Sequence, residues 1–266
     1  KTERKMKIMK DKNKIFIHFN TYKTTLYNVE NDSIIKVNES RLFFNETLVN
    51  KELCDKIDNY LYDLNTKIKL DNKNTRLYAT GIFQELSNEE QIQLNIHVFV
   101  KHGLYLNIVP KDLENFYLQQ KNNGRKVNNL IEGLLQQEFR RVVICGSFQK
   151  NMQEICDLME ILEKQNIEIL SPWTKDVVKE TLGTDFILLE GQTMENERDS
   201  WRHKYDHMNK FKKADAIIVC NPTGIIGKGT MFEFGFITAY NKKIIFTNEP
   251  KDLSVLFPYE IGLNKY

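Results

Sequence analysis

The sequence predicts an α/β protein whose C-terminal part is a doubly wound parallel sheet, and three observations carry this. Residues 141 to 247 alternate short apolar runs with amphipathic stretches, the pattern of strands joined by crossover helices. One run, Ala216 to Cys220, opens into a loop bearing Gly224, Gly227 and Gly229, then into a helical pattern with Met231, Phe234 and Ile237 on one side. The chain begins differently, with three alternating runs that read as a meander of strands.

At 266 residues the chain is long enough for two domains, each with its own core. Lys plus Arg number 38 against 36 for Asp plus Glu, so the net charge of +2 makes no case for a polyanion-binding surface, and nucleic acid is not expected as a partner. The cysteines Cys54, Cys145, Cys156 and Cys220 lack metal-like spacing, and two of them lie in apolar strands. They read as reduced, buried thiols, and neither a metal nor a cofactor is expected. No apolar run approaches the roughly 20 residues of a membrane-spanning helix, and there is no signal-peptide core. The expectation is a soluble, cytoplasmic protein with no membrane partner. The first residue is Lys rather than Met, consistent with a processed or cloned fragment.

Residues 1–14 are mostly charged and read as a solvated tail. Strands follow over 15–19, 24–29 and 33–37, with a turn signal between the last two. Leu53, Ile57, Tyr60, Leu61 and Leu64 recur at helical spacing, and 76–80 gives a further strand. Ser87 with Glu90 has capping-box spacing and opens a helix that His102 and Gly103 end. A strand over 104–109 and a helix over 110–120 complete the first domain, 15–125. The polar, glycine-containing stretch 121–126 sets the boundary to a second domain, 126–266, which starts with a short helix over 127–139.

The second domain proper opens with a buried strand from Arg141 that runs into Gly146 and Ser147. Such a turn presents backbone N–H groups suited to a phosphate or a sugar hydroxyl. Ile155, Leu158, Met159 and Leu162 then mark a helix, and 167–170 and 243–247 are further strands. Thr230 and Glu233 repeat the capping-box spacing, which predicts a helix starting at Thr230. In a flavodoxin- or Rossmann-like sheet, ligands sit at the C-terminal strand ends near the switch in strand order. Gly146, Ser147, Asn221, Gly224, Gly227 and Glu233 therefore converge on one ligand in this reading.

Two family resemblances extend it. Tyr78-Ala79-Thr80-Gly81-Ile82-Phe83, Asn88, Gly103-Leu104, Asn107-Ile108-Val109 and Leu113-Glu114 resemble the N-terminal lobe of the exopolyphosphatase and guanosine-pentaphosphatase family, over residues 15 to 120. The resemblance implies a ribonuclease H-like, actin-like half-domain. Where that family ends its first strand in an acidic residue and a glycine-serine phosphate loop, this chain has His18-Phe19-Asn20-Thr21-Tyr22. A degenerate sensor or docking module, able to engage a partner protein, is the expectation.

Cys145-Gly146-Ser147-Phe148, Ala214-Asp215, Asn221-Pro222 and Gly227-Lys228-Gly229-Thr230-Met231-Phe232-Glu233 resemble the nucleoside 2-deoxyribosyltransferase superfamily. That resemblance implies cleavage or transfer of an N-glycosidic bond in a nucleoside, nucleotide or dinucleotide, with Glu233 as nucleophile and Asp206 or His207 handling the base. Gly146, Ser147, Phe148, Lys150, Asn221, Gly224, Gly227, Gly229 and Asp215 are the implied substrate contacts. Asp215 reads as a tie between strand and helix ahead of a substrate contact, and Lys150 as a contact to a 5′-phosphate. The glycine loop also resembles lysine-decarboxylase-like phosphoribohydrolases. The superfamily further implies a homo-oligomer, with the terminal Tyr266 reaching a neighbouring site, and a lid over 173–201. The alternative is a nucleotide-binding sensor that does not cleave its ligand.

Overall fold

The computed structural model describes residues 14–30, 33–122, 139–184 and 186–262. The expected domain boundary, nearly all of the expected helix over 127–139, the charged tail up to residue 13, and Tyr266 lie outside the described residues. Contacts divide the chain into a first unit, Lys1–Glu138, and a second, Phe139–Tyr266.

The first unit is a five-stranded mixed sheet in the order β3-β2-β1-β4-β5, with strands Lys14–Asn20, Lys23–Glu30, Ser33–Ser40, Thr75–Ala79 and Leu106–Ile108 numbered along the chain. The hairpin pairs β1, β2 and β3 are antiparallel, whereas β1–β4 and β4–β5 are parallel and need the helices α1 (Lys51–Asn65) and α2 (Asn88–His102) as crossovers. The period of two along β1 sends Ile15, Ile17 and Phe19 into the core beneath α1 and α2, and Phe16 to the other face, where it stacks on Tyr78 at 5.9 Å. Ser87 and Glu90 form both halves of a capping box, and Gly103 closes α2 at φ 68°, a left-handed conformation that glycine adopts without strain. Asn95 of α2 donates to the Leu106 carbonyl (2.9 Å) and accepts from the Leu106 N–H (3.0 Å), so a side chain supplies the pairing that edge strand β5 lacks. Helix α3, Lys111–Asn122, follows β5.

The second unit is a parallel sheet in the order β10-β9-β8-β6-β7, built from Arg141–Gly146 (β6), Glu168–Ser171 (β7), Ala216–Cys220 (β8), Lys243–Phe246 (β9) and Glu260–Ile261 (β10). Strand order reverses between β6 and β8. Both faces are covered: Val142, Ile144, Ala216, Ile218 and Ile245 pack on the side of helix α4 (Phe148–Lys164), and Val143, Cys145, Ile217, Val219 and Phe246 on the side of α6 (Lys228–Ala239), with Met208 of α5 (Asp199–Asn209). This explains why these strands read as unbroken apolar runs. The two-residue β10 was not foreseen; buried Lys243 holds it to β9 through Glu260 at 2.9 Å. No helix among the described residues is long and apolar enough to cross a membrane.

One local expectation is overturned. The helix after the glycine loop starts at Lys228, with Gly227 as its N-cap in an extended conformation (φ −70°, ψ 150°), so Thr230 lies inside the first turn and caps nothing. The Glu233 carboxylate is left for other partners.

Where β1 and β4 end, His18 Nε2 lies 2.9 Å from Thr80 Oγ1, and Asn20 Nδ2 donates to the same oxygen at 3.0 Å. Burial, reinforced by the Lys23 charge, lowers the His18 pKa from 6.5 to about 4. The unfolded chain therefore takes up this proton below pH 6.5 while the folded one refuses it until about pH 4, so the contribution to stability is full above pH 6.5 and lost as the pH falls to 4. The difference amounts to about 3 kcal/mol. Both tryptophans lie in the second unit, so circular dichroism not matched by tryptophan fluorescence reports the first. His18→Gln, which keeps a hydrogen bond to Thr80, is expected to flatten the loss of first-unit stability between pH 6.5 and 4; an unchanged pH profile would contradict the assignment.

Candidate functional site

At the C-terminal edge of the second sheet, beside the β6–β8 switch, lies a cavity of about 770 Å³. Glycine at 146 suits tight packing, since a Cβ there would lie 3.2 Å from the Cys220 carbonyl and from Ile155 Cδ1. The chain then turns through Ser147, the N-cap of α4, into Phe148 and Lys150 at the cavity wall. Opposite, Gly227 and Gly229 bring the first turns of α6 to the cavity, and Glu233, in the second turn, reaches its floor.

Glu233 is 3% exposed. Its Oε1 is paired with the ammonium group of Lys204 and lies 3.4 Å from His207 Nε2, while Oε2 is buried without a hydrogen-bond partner. Lys204 and His207 stand three residues apart on α5, so one helix face delivers both. Ser171, at the end of β7, lies 2.7 Å from His207 Nδ1 and turns Nε2 toward the carboxylate. Burial holds the His207 pKa below 6.5, against the opposing pull of Glu233, so the imidazole is neutral at pH 7. Burial, with the Glu233 charge second, pushes the Cys145 thiol well above its ordinary value. Cys145, His207 and Glu233 place ligand atoms within 4.8 Å of one another, a thiol-imidazole-carboxylate set of metal-binding type. Lys204 already holds the carboxylate and the thiol stays protonated, so the cluster is arranged around an internal cation.

The rim is aromatic. Trp173, Trp201 and Phe232 are each about half exposed, and the last two meet edge-to-face at 6.2 Å. Trp173, Phe186 and Trp201 come from residues 173–201, whose described part holds a short 3-10 turn (Lys179–Thr181), a bridge between Val177 and Leu189 and the start of α5.

Of the residues singled out from the sequence, Glu233, His207, Gly146, Ser147, Phe148, Lys150, Gly227 and Gly229 line this cavity. Four do not. Asp206, one position before His207, points about 100° away around the helix, into a neighbouring cavity. Asp215 sits at the opposite edge of the sheet, where its carboxylate accepts from the Arg140 and Arg141 N–H groups (2.9 and 2.8 Å) and pairs with the Arg141 guanidinium at 2.8 Å. It ties the start of β8 to that of β6. Asn221 is buried and braces the loop after β9, donating to the Asn248 carbonyl at 2.8 Å and accepting its N–H at 3.0 Å. Gly224 takes φ 81°, and a Cβ there would lie 2.8 Å from the Glu249 carbonyl, so it too serves loop packing. Sequence reasoning missed Lys204, Ser171 and the aromatic rim; the spacing of Lys204 to His207 was the available signal. In the first unit, Glu114 accepts from Gln84 Nε2 at 2.8 Å.

No protein-family model matches this sequence, and a search of curated proteins finds no match. Among solved structures, the chain is similar to a Ppx/GppA family member from Aquifex aeolicus (13% identity, 79% of this chain and 66% of that one, TM-score 0.30). An exopolyphosphatase from Cytophaga hutchinsonii gives 10% identity over 80% of this chain and 68% of that one, with TM-score 0.34. The chain thus spans about two thirds of the length of each. Superpositions this loose carry no correspondence between residues. They are named as exopolyphosphatase or phosphatase, the family that residues 15 to 120 resemble. That is the finding against the N-glycosidic cleavage expected from the second domain, which is not upheld.

The pairing of Lys204 with Glu233 has a direct consequence. Removing the cation strands a buried carboxylate, so Lys204→Met is expected to destabilise the second unit by about 2 kcal/mol, the cavity's water keeping the figure below that of a dry pair. In a Glu233→Gln background the same change should have little effect. Tryptophan-detected denaturation of the four proteins measures the coupling, and additive effects would rule the pair out.

Proposed function

We propose that the second unit binds a nucleoside or nucleotide in the Glu233 cavity and that the first unit serves as a sensor or docking module. The observation that carries the first part is Glu233, a buried carboxylate in the cavity wall whose Oε2 has no hydrogen-bond partner. A buried carboxylate oxygen left without a donor is unfavourable, and a ligand hydroxyl supplies one. The cavity's 770 Å³ suits a nucleoside-sized molecule. Its two ends differ in the way such a ligand does: exposed aromatic rings offer faces on which a base can stack, and the charged floor offers an acceptor for sugar hydroxyls. The location beside the strand-order switch is where parallel sheets hold ligands.

Lys204 gives the site its resting state, its ammonium group on one Glu233 oxygen while the other is left as an acceptor. His207, neutral and fixed by Ser171, contributes a second polar group at the floor. For the first unit, the support is the filling of the β1 and β4 ends by His18, Asn20 and Thr80, bonded to one another.

Calorimetric titration of the full chain with nucleosides and nucleotides, against free sugars and inorganic phosphate, tests the reading. A nucleoside or nucleotide is expected to bind. Glu233→Gln replaces a charged acceptor by a neutral one and should weaken it by about 10- to 100-fold, as hydrogen bonds to charged groups are worth about 1.5–3 kcal/mol. Equal affinity in the variant, or no binding to the wild type by any nucleoside or nucleotide, would refute it.

A further inference from the structure

A second cavity of about 580 Å³ adjoins the first, and the two share Trp173, Gln192 and His203 as walls. Its charge is one-sided: Arg202, Lys210 and Lys213 line it against a single carboxylate, Asp206. Helix spacing explains the grouping, because positions 202, 206, 209 and 213 fall on one side of α5 and the turn after it, while Lys204 and His207 face the other cavity. Arg202 is offset by Asp199 at 3.5 Å, but Lys210 and Lys213 have no carboxylate partner among the described residues. Lys210 Nζ instead lies 4.9 Å from the centre of the Trp173 ring, at the junction of the two cavities. Two cations without an ion-pair contact among the described residues, beside an acceptor-floored cavity, form a divided site, polar and aromatic on one side and positive on the other.

Resting on the reading of the first cavity given above, we infer that the ligand is a nucleoside polyphosphate: its nucleoside lies in the Glu233 cavity and its di- or triphosphate passes Trp173 into the second cavity, against Lys210 and Lys213. A phosphate chain supplies several anionic oxygens to cations that have none, and the two ammonium groups suit it as point charges. The cavity is too small, and its cations too few, for the long tract that a nucleic acid strand requires, and the near-neutral chain as a whole agrees. The same geometry gives Trp173 a positioning role, with its ring between Lys210 and the passing ligand.

The experiment is a calorimetric series on the full chain with one nucleoside and its 5′-mono-, di- and triphosphates, at low and high salt, together with inorganic triphosphate. Affinity is expected to rise with phosphate number, by about 10-fold or more from nucleoside to triphosphate, and the gain should shrink at high salt. Inorganic triphosphate should compete with the nucleoside triphosphate. Lys210→Gln with Lys213→Gln should remove the gain from phosphate number, bringing the series down to the nucleoside value measured on the same variant, and Asp206→Asn, which removes the lone negative charge, should strengthen triphosphate binding. A flat series with the nucleoside still bound overturns this inference and leaves the Glu233 reading standing. Failure of the nucleoside and of all its phosphates to bind overturns both. Tighter binding of a single-stranded oligonucleotide than of the triphosphate would overturn it in favour of a nucleic acid ligand.

Discussion

The second unit is built around a carboxylate that has been taken out of water. Glu233 is 3% exposed, and an ionised side chain in that position is tolerated only where other charges and dipoles replace the solvent. Several features of the unit act in that replacement. Helix α5 brings Lys204 and His207 to the carboxylate; Ser171, at the end of β7, fixes the imidazole. Replacement is incomplete, since one oxygen remains without a donor. A buried ion pair of this kind is poor evidence for stability, because apolar residues would hold the fold as well. It is better evidence that the site has a use for charge.

The same carboxylate shows why one local motif was legible and its twin was not. Ser87–Glu90 and Thr230–Glu233 have identical spacing, and the first forms both halves of a capping box. The residues just before Ser87 include no glycine to offer another N-cap, and among the described residues no cation pairs with Glu90. Before Thr230 stand Gly227 and Gly229; Gly227 takes the extended N-cap conformation, the helix starts earlier, and Lys204 takes the carboxylate. A capping box is a local signal, and a partner 29 residues away overrode it.

Strands were legible because burial dictates their composition: two-faced burial makes β6 and β8 continuous apolar runs, and the alternation along β1 follows its two cores. Asp206 and His207 could not be told apart by spacing, since that depends on where α5 begins, and the rotation of about 100° between neighbours then decides which faces the floor. Asn221 and Gly224, and Asp215 where it was counted as a substrate contact, were misplaced for a shared reason. Glycine, asparagine and aspartate at strand ends serve loop geometry as readily as ligands, and here the loop after β9 and the Arg140–Arg141 backbone claim them. The aromatic rim left no periodic trace because much of it lies on irregular chain, held by side-chain contacts such as that between His203 and the Thr193 carbonyl at 2.8 Å.

That irregular stretch joins the two cavities into one problem. Trp173 follows β7 directly, so the strand that positions Ser171 against His207 also positions the ring that Lys210 covers. Helix α5 makes the same connection from the other side, since its Lys204 and His207 belong to the carboxylate while Arg202 and Asp206 face the basic cavity. A rotation of α5 that improved one set of contacts would spoil the other. The helix is therefore constrained on two faces at once, and its polar composition, with only Met208 fully buried, follows from serving two cavities rather than a core. A residue on α5 is best understood by which cavity its angle selects, and residue type alone, a histidine or an aspartate, does not decide it.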